Sequence, residues 1–495
     1  MPDDWFHPLS RSAKRRAPAA PRRPGHVLAL LASLLLWNSI AAAQENSPAP
    51  RPNIVFLLAD DLGSHDVGWR GGEIKTPQLD KLARAGARLE QFYVQPVCSP
   101  TRAALMTGRY PFRHGLQVGV VRPWAQYGLP LEERTLPQAL REAGYQTAIV
   151  GKWHLGHFER DYLPTRRGFD RQYGHYNGAL DYFKHDRDGG FDWHRDDREC
   201  HDEGYTTHLI AREVVRIIKE RDPTKPLFLY VPFNTVHAPH QVPEKYTEPY
   251  GHLQGNRRVY AGMLAALDEA VGQIAEAIDG QGLTAKTLFI FSSDNGGPAP
   301  GRVTSNGPLR AGKGTLYEGG VRVCAFASWK GHIQHDTAVN VPLHIVDWYP
   351  TLLKLAGAPL EQKLPLDGRD LWPALTAGQP SPHEEIVLNA APRTGAIRAG
   401  DWKLVLNGSA DAAEGENAEP APPAGKKARK KAVAEESVEL FNLADDPREE
   451  RNVAAQNAER VRDLRARYAA CARQAVPPKA RPKSPDFQIP RVWGE

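Results

Sequence analysis

A chain of 495 residues, 41% hydrophobic and 24% charged, is long enough for a large core and more than one domain, and has the composition of an ordinary globular protein. Its net charge of +5 is concentrated at one end: residues 1–43 carry Arg11, Lys14, Arg15, Arg16, Arg22 and Arg23 against Asp3 and Asp4, and the remainder is close to neutral. That balance gives no electrostatic case for nucleic acid as a partner, and four cysteines in so long a chain do not make a disulfide framework.

The basic stretch runs into the apolar segment Val27–Trp37 and then Ala41-Ala42-Ala43. A charged region, a short apolar core and small residues at a cleavage point are the pattern of a secretory signal. Residues 1–43 are therefore predicted to be a signal peptide cleaved after Ala43, with the mature protein exported, periplasmic or secreted. The competing reading is a membrane anchor, but a span needs about 20 apolar residues and Asn38 and Ser39 interrupt this run. No other segment is apolar over such a length, so no stable membrane insertion is expected after cleavage.

Residues 44–50 form a polar, proline-containing linker. Asn53–Ala59 (NIVFLLA) is a continuous apolar run ending in Asp60-Asp61, the pattern of a strand buried on both faces. Thr76–Ala85 reads as a helix capped by Thr76, opened by Pro77 and stopped by Gly86. The residues Ala103–Arg109, just after Cys98-Ser99-Pro100-Thr101-Arg102, read as a helix start. A group at position 98 then sits near a helix N-terminus, where unpaired N–H groups favour an anion that Arg102 could hold. Taken alone, Cys98 is equally well a small buried thiol.

Leu136–Ala143 is predicted as a helix, Thr147–Val150 as a strand running into Lys152 and His154, Thr207–Glu220 as an amphipathic helix, and Leu227–Val231 as a strand followed by His237. Tyr260–Ile278 reads as a long helix, and Thr287–Phe291 as a buried strand ending in Ser292-Ser293-Asp294-Asn295-Gly296-Gly297. Strands alternating with helices predict an α/β fold with a mainly parallel central sheet flanked by helices. Ligands bind beyond the carboxyl ends of such strands, where Asp60-Asp61, Lys152, His154 and Asp294-Asn295 all stand.

After residue 377 the texture changes. Glu385–Asn389, Gly395–Asn407 and Val438–Asn442 read as antiparallel strands of a smaller C-terminal α+β subdomain, 378–475, closed by a helix over Asn452–Gln474. The catalytic domain then spans 51–377. An Ala/Pro/Glu/Lys-rich insert, 409–436, is too polar to pack and is predicted to be a disordered loop; its basic run Lys426–Lys431 reads as a solvated surface rather than a glycan or nucleic-acid site. The proline-rich tail, 476–495, carries no assignment. Cys324, in VRVCAFASW, reads as core, and pairing of Cys200 with Cys471 is left open.

Acid pairs at strand ends repel unless a cation sits between them. Asp60, Asp61, Asp294 and Asn295 offer only oxygen ligands, which suits Ca²⁺ or Mg²⁺ better than Zn²⁺ or copper. Lys152, His154, His237 and Lys313, the last among glycines in PLRAGKGTLYEGG, supply cations for a tetrahedral anion and an imidazole able to move protons near neutral pH. Turn and capping roles are the bland alternatives for each residue alone.

These segments resemble type I sulfatases: NIVFLLADDLG, CSPTRAALMTGRY, GKWHLG, the histidine of NTVHAP, and SDNGG followed by PLRAGKGTLYEGGVR, in the family's order. With IVDWYPTLLKLAG and LFNLADDPREERN the resemblance spans about 400 residues, Asn53 to Asn452. It implies an alkaline-phosphatase-like fold, conversion of Cys98 to formylglycine by a formylglycine-generating enzyme, and one Ca²⁺ held by Asp60, Asp61, Asp294, Asn295 and the modified Cys98. It further implies that Arg102 and Lys152 hold the formylglycine hydrate, and that Lys152, His154, His237 and Lys313 contact the sulfate or leaving group. The segments are most similar to the arylsulfatase B subgroup, the N-acetylgalactosamine-4-sulfatases, so the expected substrate is a sulfated glycan or an aryl sulfate. The aromatic and polar residues of Tyr176–His194, including His185 and Asp186, are expected to line a sugar pocket, although the histidine- and acid-rich stretch from Asn177 to Cys200 departs from the subgroup. A phosphonate or phosphodiester hydrolase of the same superfamily, and a non-catalytic glycan-binding protein, are the competing functions.

Overall fold

The computed structural model describes residues 51–408 and 436–495. The signal peptide and linker assigned to 1–50, and all but the last residue of the insert assigned to 409–436, lie outside the described residues. A ten-stranded sheet forms the centre. Its middle is all parallel: Asn53–Ala59 lies between Leu227–Pro232 and Thr287–Ser293, and Leu227–Pro232 continues through Gln146–Lys152 to Arg171–His175. Antiparallel strands extend both sides, Ala325–Ser328 beside Thr287–Ser293 and His194–Arg195 beside Arg171–His175.

Asn53–Ala59 shows why the apolar runs do not alternate. Ile54, Phe56 and Leu58 enter one core, while Val55, Leu57 and Ala59 enter another on the opposite face. The first core is roofed by the helices Cys98–Thr107, Leu136–Glu142 and Trp348–Leu355, and the second by Pro77–Arg84, Thr206–Glu220 and Gly255–Gly280. The mainly parallel, helix-flanked sheet predicted from the sequence is the one observed.

Two local expectations change. The helix predicted to begin near Ala103 begins at Cys98 and stops at Thr107, because Pro100 costs nothing in a first turn whose N–H groups have no intrahelical partner, and Gly108 (φ 66°) turns left-handed. Thr76 precedes its helix but bonds Asp80 with its hydroxyl at 2.9 Å and caps no helix N–H group. No disulfide joins Cys200 to Cys471; all four thiols are free, and Cys324 is buried in the core as read.

The smaller subdomain is a four-stranded antiparallel sheet, Glu385–Ala390, Gly395–Ala399, Trp402–Leu406 and Val438–Asn442, with the helix Ala458–Ala472. A buried ionic clamp joins it to the main body. Lys403 Nζ lies 2.9 Å from Glu318 and 2.8 Å from Glu449, all three side chains being fully or almost fully buried. Tyr93 Oη donates to Glu318 at 2.8 Å and Arg398 donates to Tyr93. Burial pushes the Glu449 carboxyl up, whereas Lys403, Arg322 and Arg398 outweigh burial at Glu318 and hold it down. Lys403→Met leaves two buried carboxylates with one cation fewer and is expected to cost about 3–5 kcal/mol of stability. The thermal midpoint reads this directly, and an unmoved midpoint would show that the three groups are no clamp.

Candidate active site

Four neighbouring parallel strands deliver their carboxyl ends to one point. Asp60-Asp61 follow Asn53–Ala59, Asp294-Asn295 follow Thr287–Ser293, Lys152 closes Gln146–Lys152, and His237 stands five residues beyond Leu227–Pro232. The loop ends are stitched together by backbone bonds: Asp60 N–H donates to Thr235, Val236 N–H to Asp60, and Asp294 N–H to Ala59. Asp61 (φ 63°) and His154 (φ 57°) hold left-handed backbone, a strained state that clusters at functional sites. Cys98 enters from above, in the first turn of its helix.

Asp60 is the hub. Its carboxylate lies 3.4 Å from Cys98 Sγ, 2.6 Å from Lys152 Nζ and 3.5 Å from Arg102 Nη2. Arg102 also donates to Asp294 at 2.7 Å and to the Lys152 carbonyl at 3.1 Å, so one guanidinium links the helix that carries Cys98 to two strand ends. Cys98 Sγ is 3.5 Å from Asn295 Oδ1, and Asn295 Nδ2 donates to Asp61 at 2.7 Å. Asp61 receives Lys313 Nζ at 2.9 Å and has His237 Nε2 at 3.7 Å, while its own N–H donates to Asp294 at 3.2 Å. His154 is one layer out: its Nε2 meets the Val121 carbonyl at 3.1 Å, and Ser99 Oγ donates to the His154 carbonyl at 2.9 Å.

The Lys313 loop is held by the small subdomain. Leu316 N–H donates to the Gly408 carbonyl at 2.8 Å, Arg310 pairs with Glu439 at 3.1 Å, and Tyr317 Oη donates to Glu439. A Cβ at Gly408 would stand 2.2 Å from Tyr317 Oη, so the close approach requires glycine there.

Asp60, Asp61, Cys98, Arg102, Lys152, His154, His237, Asp294 and Asn295 are all buried, and Lys313 is half-buried. Burial, then Asp294 and Asp60, push the Cys98 thiol well above its usual range against the pull of Lys152 and Lys313, so the unmodified side chain is neutral here. Ligand-type atoms of Asp60, Asp61, Cys98 and His237 lie within 4.8 Å of one another. Carboxylate and amide oxygens from Asp60, Asp61, Asp294 and Asn295 converge around this point, and such a hard donor set fits Ca²⁺ or Mg²⁺. Three carboxylates facing three fixed cations are formally balanced, so a divalent ion added here makes the site attract an anion.

Every catalytic and metal-site residue named from the sequence therefore falls within one assembly. His237 stands against the acid cluster, with Nε2 3.7 Å from Asp61. Two neighbours had no assigned role. Ser99, inside the cysteine motif, braces both His154 and Val121, accepting from the Val121 N–H at 3.0 Å. His175 pairs in register with Lys152 across adjacent strands, and burial pushes it down to about 3, so it is neutral. Its strand, RQYGH, carries no apolar run that could have revealed it.

Tyr176–His194, expected to line a sugar pocket, is mixed in burial: Phe183 is 44% exposed and Asp186 half-buried, while other members point into the fold. Tyr176, His185, Asp192, Trp193 and His194 are buried, with Tyr176 stacked on His194 and His185 on Trp193. Asp192 accepts from the Tyr176 and Asn177 N–H groups at 2.9 and 2.8 Å and pairs with His194 at 3.2 Å, while His185 Nε2 meets the Gly204 carbonyl at 2.9 Å. The Asp192, His194 and His185 polar groups are thereby engaged within the fold, whereas Tyr176 Oη and Trp193 Nε1 are buried with no hydrogen-bond partner among the described residues.

Comparison with known proteins agrees with this geometry. The Sulfatase family model matches residues 52–358. Mouse arylsulfatase J is 39% identical over 480 residues, covering 90% of this chain and 80% of that protein. Mouse N-acetylgalactosamine-6-sulfatase is 34% identical over 371 residues, covering 70% of each. Among solved structures, Ps i-CgsB in complex with k-i-k-neocarrahexaose superposes with a TM-score of 0.76 at 29% identity, covering 90% of this chain and 95% of that one.

Proposed function

The chain belongs to the sulfatase family, and from that premise we propose that it hydrolyses the sulfate ester of a sulfated glycan, with 4-sulfated N-acetylgalactosamine the leading candidate and small aryl sulfates the second class. The observation that carries this reading is the position of Cys98, in the first turn of a buried helix between Asp60 and Asn295, with Arg102, Lys152 and Lys313 around it. Conversion of Cys98 to formylglycine, by a formylglycine-generating enzyme, completes the site. The hydrated aldehyde supplies two hydroxyls on one carbon, one to attack sulfur and one whose deprotonation expels sulfate, which neither serine nor cysteine offers.

Asp60, Asp61, Asp294 and Asn295, with the side chain at 98, would hold one Ca²⁺, which when bound offsets negative charge on the sulfate oxygens. Arg102 and Lys152 fix the side chain at 98. Lys152 and Lys313 present positive charge to the transferring group, a preorganised electrostatic contribution that usually dominates such reactions. His154 and His237 would contact the sulfate or the leaving oxygen, and an imidazole there can deliver the proton the departing alcohol needs. The signal at 1–43 supports action outside the cytoplasm, where sulfated polysaccharides are met.

The names of the relatives carry both aryl and N-acetylgalactosamine substrates, the latter at position 6. A panel should therefore contain 4- and 6-sulfated N-acetylgalactosamine, a small aryl sulfate and a phosphonate ester. The expected result is turnover on a sulfated sugar well above that on the phosphonate. Turnover on the aryl ester with none on any sugar would leave a generic arylsulfatase, and preference for the phosphonate would favour a different hydrolase of the same fold.

A further inference from the structure

The tail from Val476 to Glu495 had no assignment from sequence, yet it builds one wall of a cleft whose other wall begins three residues after Val121. Trp124 and Tyr127 lie on one side and Lys479, Arg481 and Phe487 on the other, enclosing about 610 Å³. The tail is pinned at both ends. Val476 and Lys479 N–H groups donate to the Phe112 and Gly115 carbonyls, and the Trp493 N–H donates to Phe191. Trp493 is buried, stacks on Phe487 with ring centres 6.2 Å apart, and meets His157 edge-on at 5.5 Å. His157 in turn meets the Pro123 carbonyl at 3.2 Å. Phe487 is thus held through two rings to the segment that carries Trp124.

That segment starts at the catalytic assembly. Val121 bonds both His154 and Ser99, and three residues of extended chain reach at most about 10 Å, so Trp124 lies within about 10 Å of Val121. The cleft joins aromatic faces to positive charge. Arg122 lies 5.6 Å from the Trp124 ring centre, and Lys483 Nζ lies 5.8 Å from Trp124 and 5.4 Å from Phe487. With Lys479 and Arg481 this is a strongly cationic wall in which Asp486 is the one acidic lining residue. Aromatic rings pack on the apolar faces of sugars, and clustered cations select an anionic substituent.

We infer that this cleft is a subsite for a second sulfated sugar unit, next along the chain to the one that loses its sulfate. The inference rests on the glycan reading above and sharpens it: the substrate is an oligosaccharide bearing sulfate on more than one unit. An aryl sulfate or a lone monosaccharide fills only the catalytic pocket.

Two measurements test it. The first is the ratio of kcat/KM on a tetrasaccharide of 4-sulfated N-acetylgalactosamine units to kcat/KM on a small aryl sulfate. Arg481→Gln/Lys483→Gln is expected to lower this ratio about tenfold, mostly through KM. The second is binding of the same tetrasaccharide, and of its desulfated form, to Cys98→Ala protein with and without the double substitution. Sulfate-dependent binding that weakens about tenfold supports the subsite. An unmoved ratio together with unmoved binding would overturn it. If the wild-type protein turns over no sulfated sugar, the glycan reading fails by itself and the binding comparison alone decides the subsite.

Discussion

Cys98→Ala is expected to lose sulfate-ester hydrolysis by on the order of a million-fold, the scale seen when a nucleophile that acts as part of a unit is removed. The substitution deletes one sulfur atom from a side chain with no exposure, and the Asp60–Lys152 and Arg102–Asp294 pairs around it do not pass through that atom. The fold should therefore survive, with a thermal midpoint close to wild type. Cys98→Ser is the sharper variant. It restores one hydroxyl in the same place but not two, so it should fail to sustain multiple turnovers. Steady turnover by Cys98→Ala at the wild-type rate would remove position 98 from the chemistry.

Removing an acid from the cluster is the next largest effect. Asp60→Ala and Asp294→Ala should each lower activity by about 10²–10³-fold, as loss of one preorganised electrostatic contact does. Both should also reduce bound calcium. Their stability costs differ from that of Cys98→Ala. Asp294→Ala leaves the Arg102 guanidinium, fully buried and 2.7 Å from the lost oxygen, short of its closest carboxylate, a change worth about 3–5 kcal/mol. Asp294→Asn keeps an acceptor for Arg102 and separates the two causes: calcium should fall while the midpoint falls less than in Asp294→Ala. Elemental analysis that finds stoichiometric zinc and no calcium in the wild-type protein would contradict the oxygen-donor argument.

What was legible in the sequence follows from what pattern can carry. Asn53–Ala59 and Thr287–Ser293 are buried on both faces, so their apolar runs announce them, and the polar residues that end those runs announce the site. Arg171–His175 stays hidden because a strand reading RQYGH has no apolar period, although it aligns His175 with Lys152. The helix start was misplaced because Cys98, Ser99 and Pro100 are poor helix formers that the first turn tolerates. The Lys403 clamp joins residues 85 positions apart, and only the folded chain brings Glu318 to it. The tail was silent for a related reason: Trp493 and Phe487 acquire meaning only against His157 and Trp124. Histidine and acid richness in Asn177–Cys200 suggested ligand contacts, whereas Asp192 and His194 satisfy one another and the backbone.

The central claim is that residue 98 becomes the nucleophile of a sulfatase. Its most direct test is the mass of the tryptic peptide Leu89–Arg102, taken from active protein and compared with specific activity on a sulfate ester. The peptide should be ~18 Da lighter than the cysteine form, as expected for thiol-to-aldehyde conversion, and activity across preparations should rise in proportion to the converted fraction. Full activity in a preparation whose peptide carries only unmodified Cys98 would contradict it.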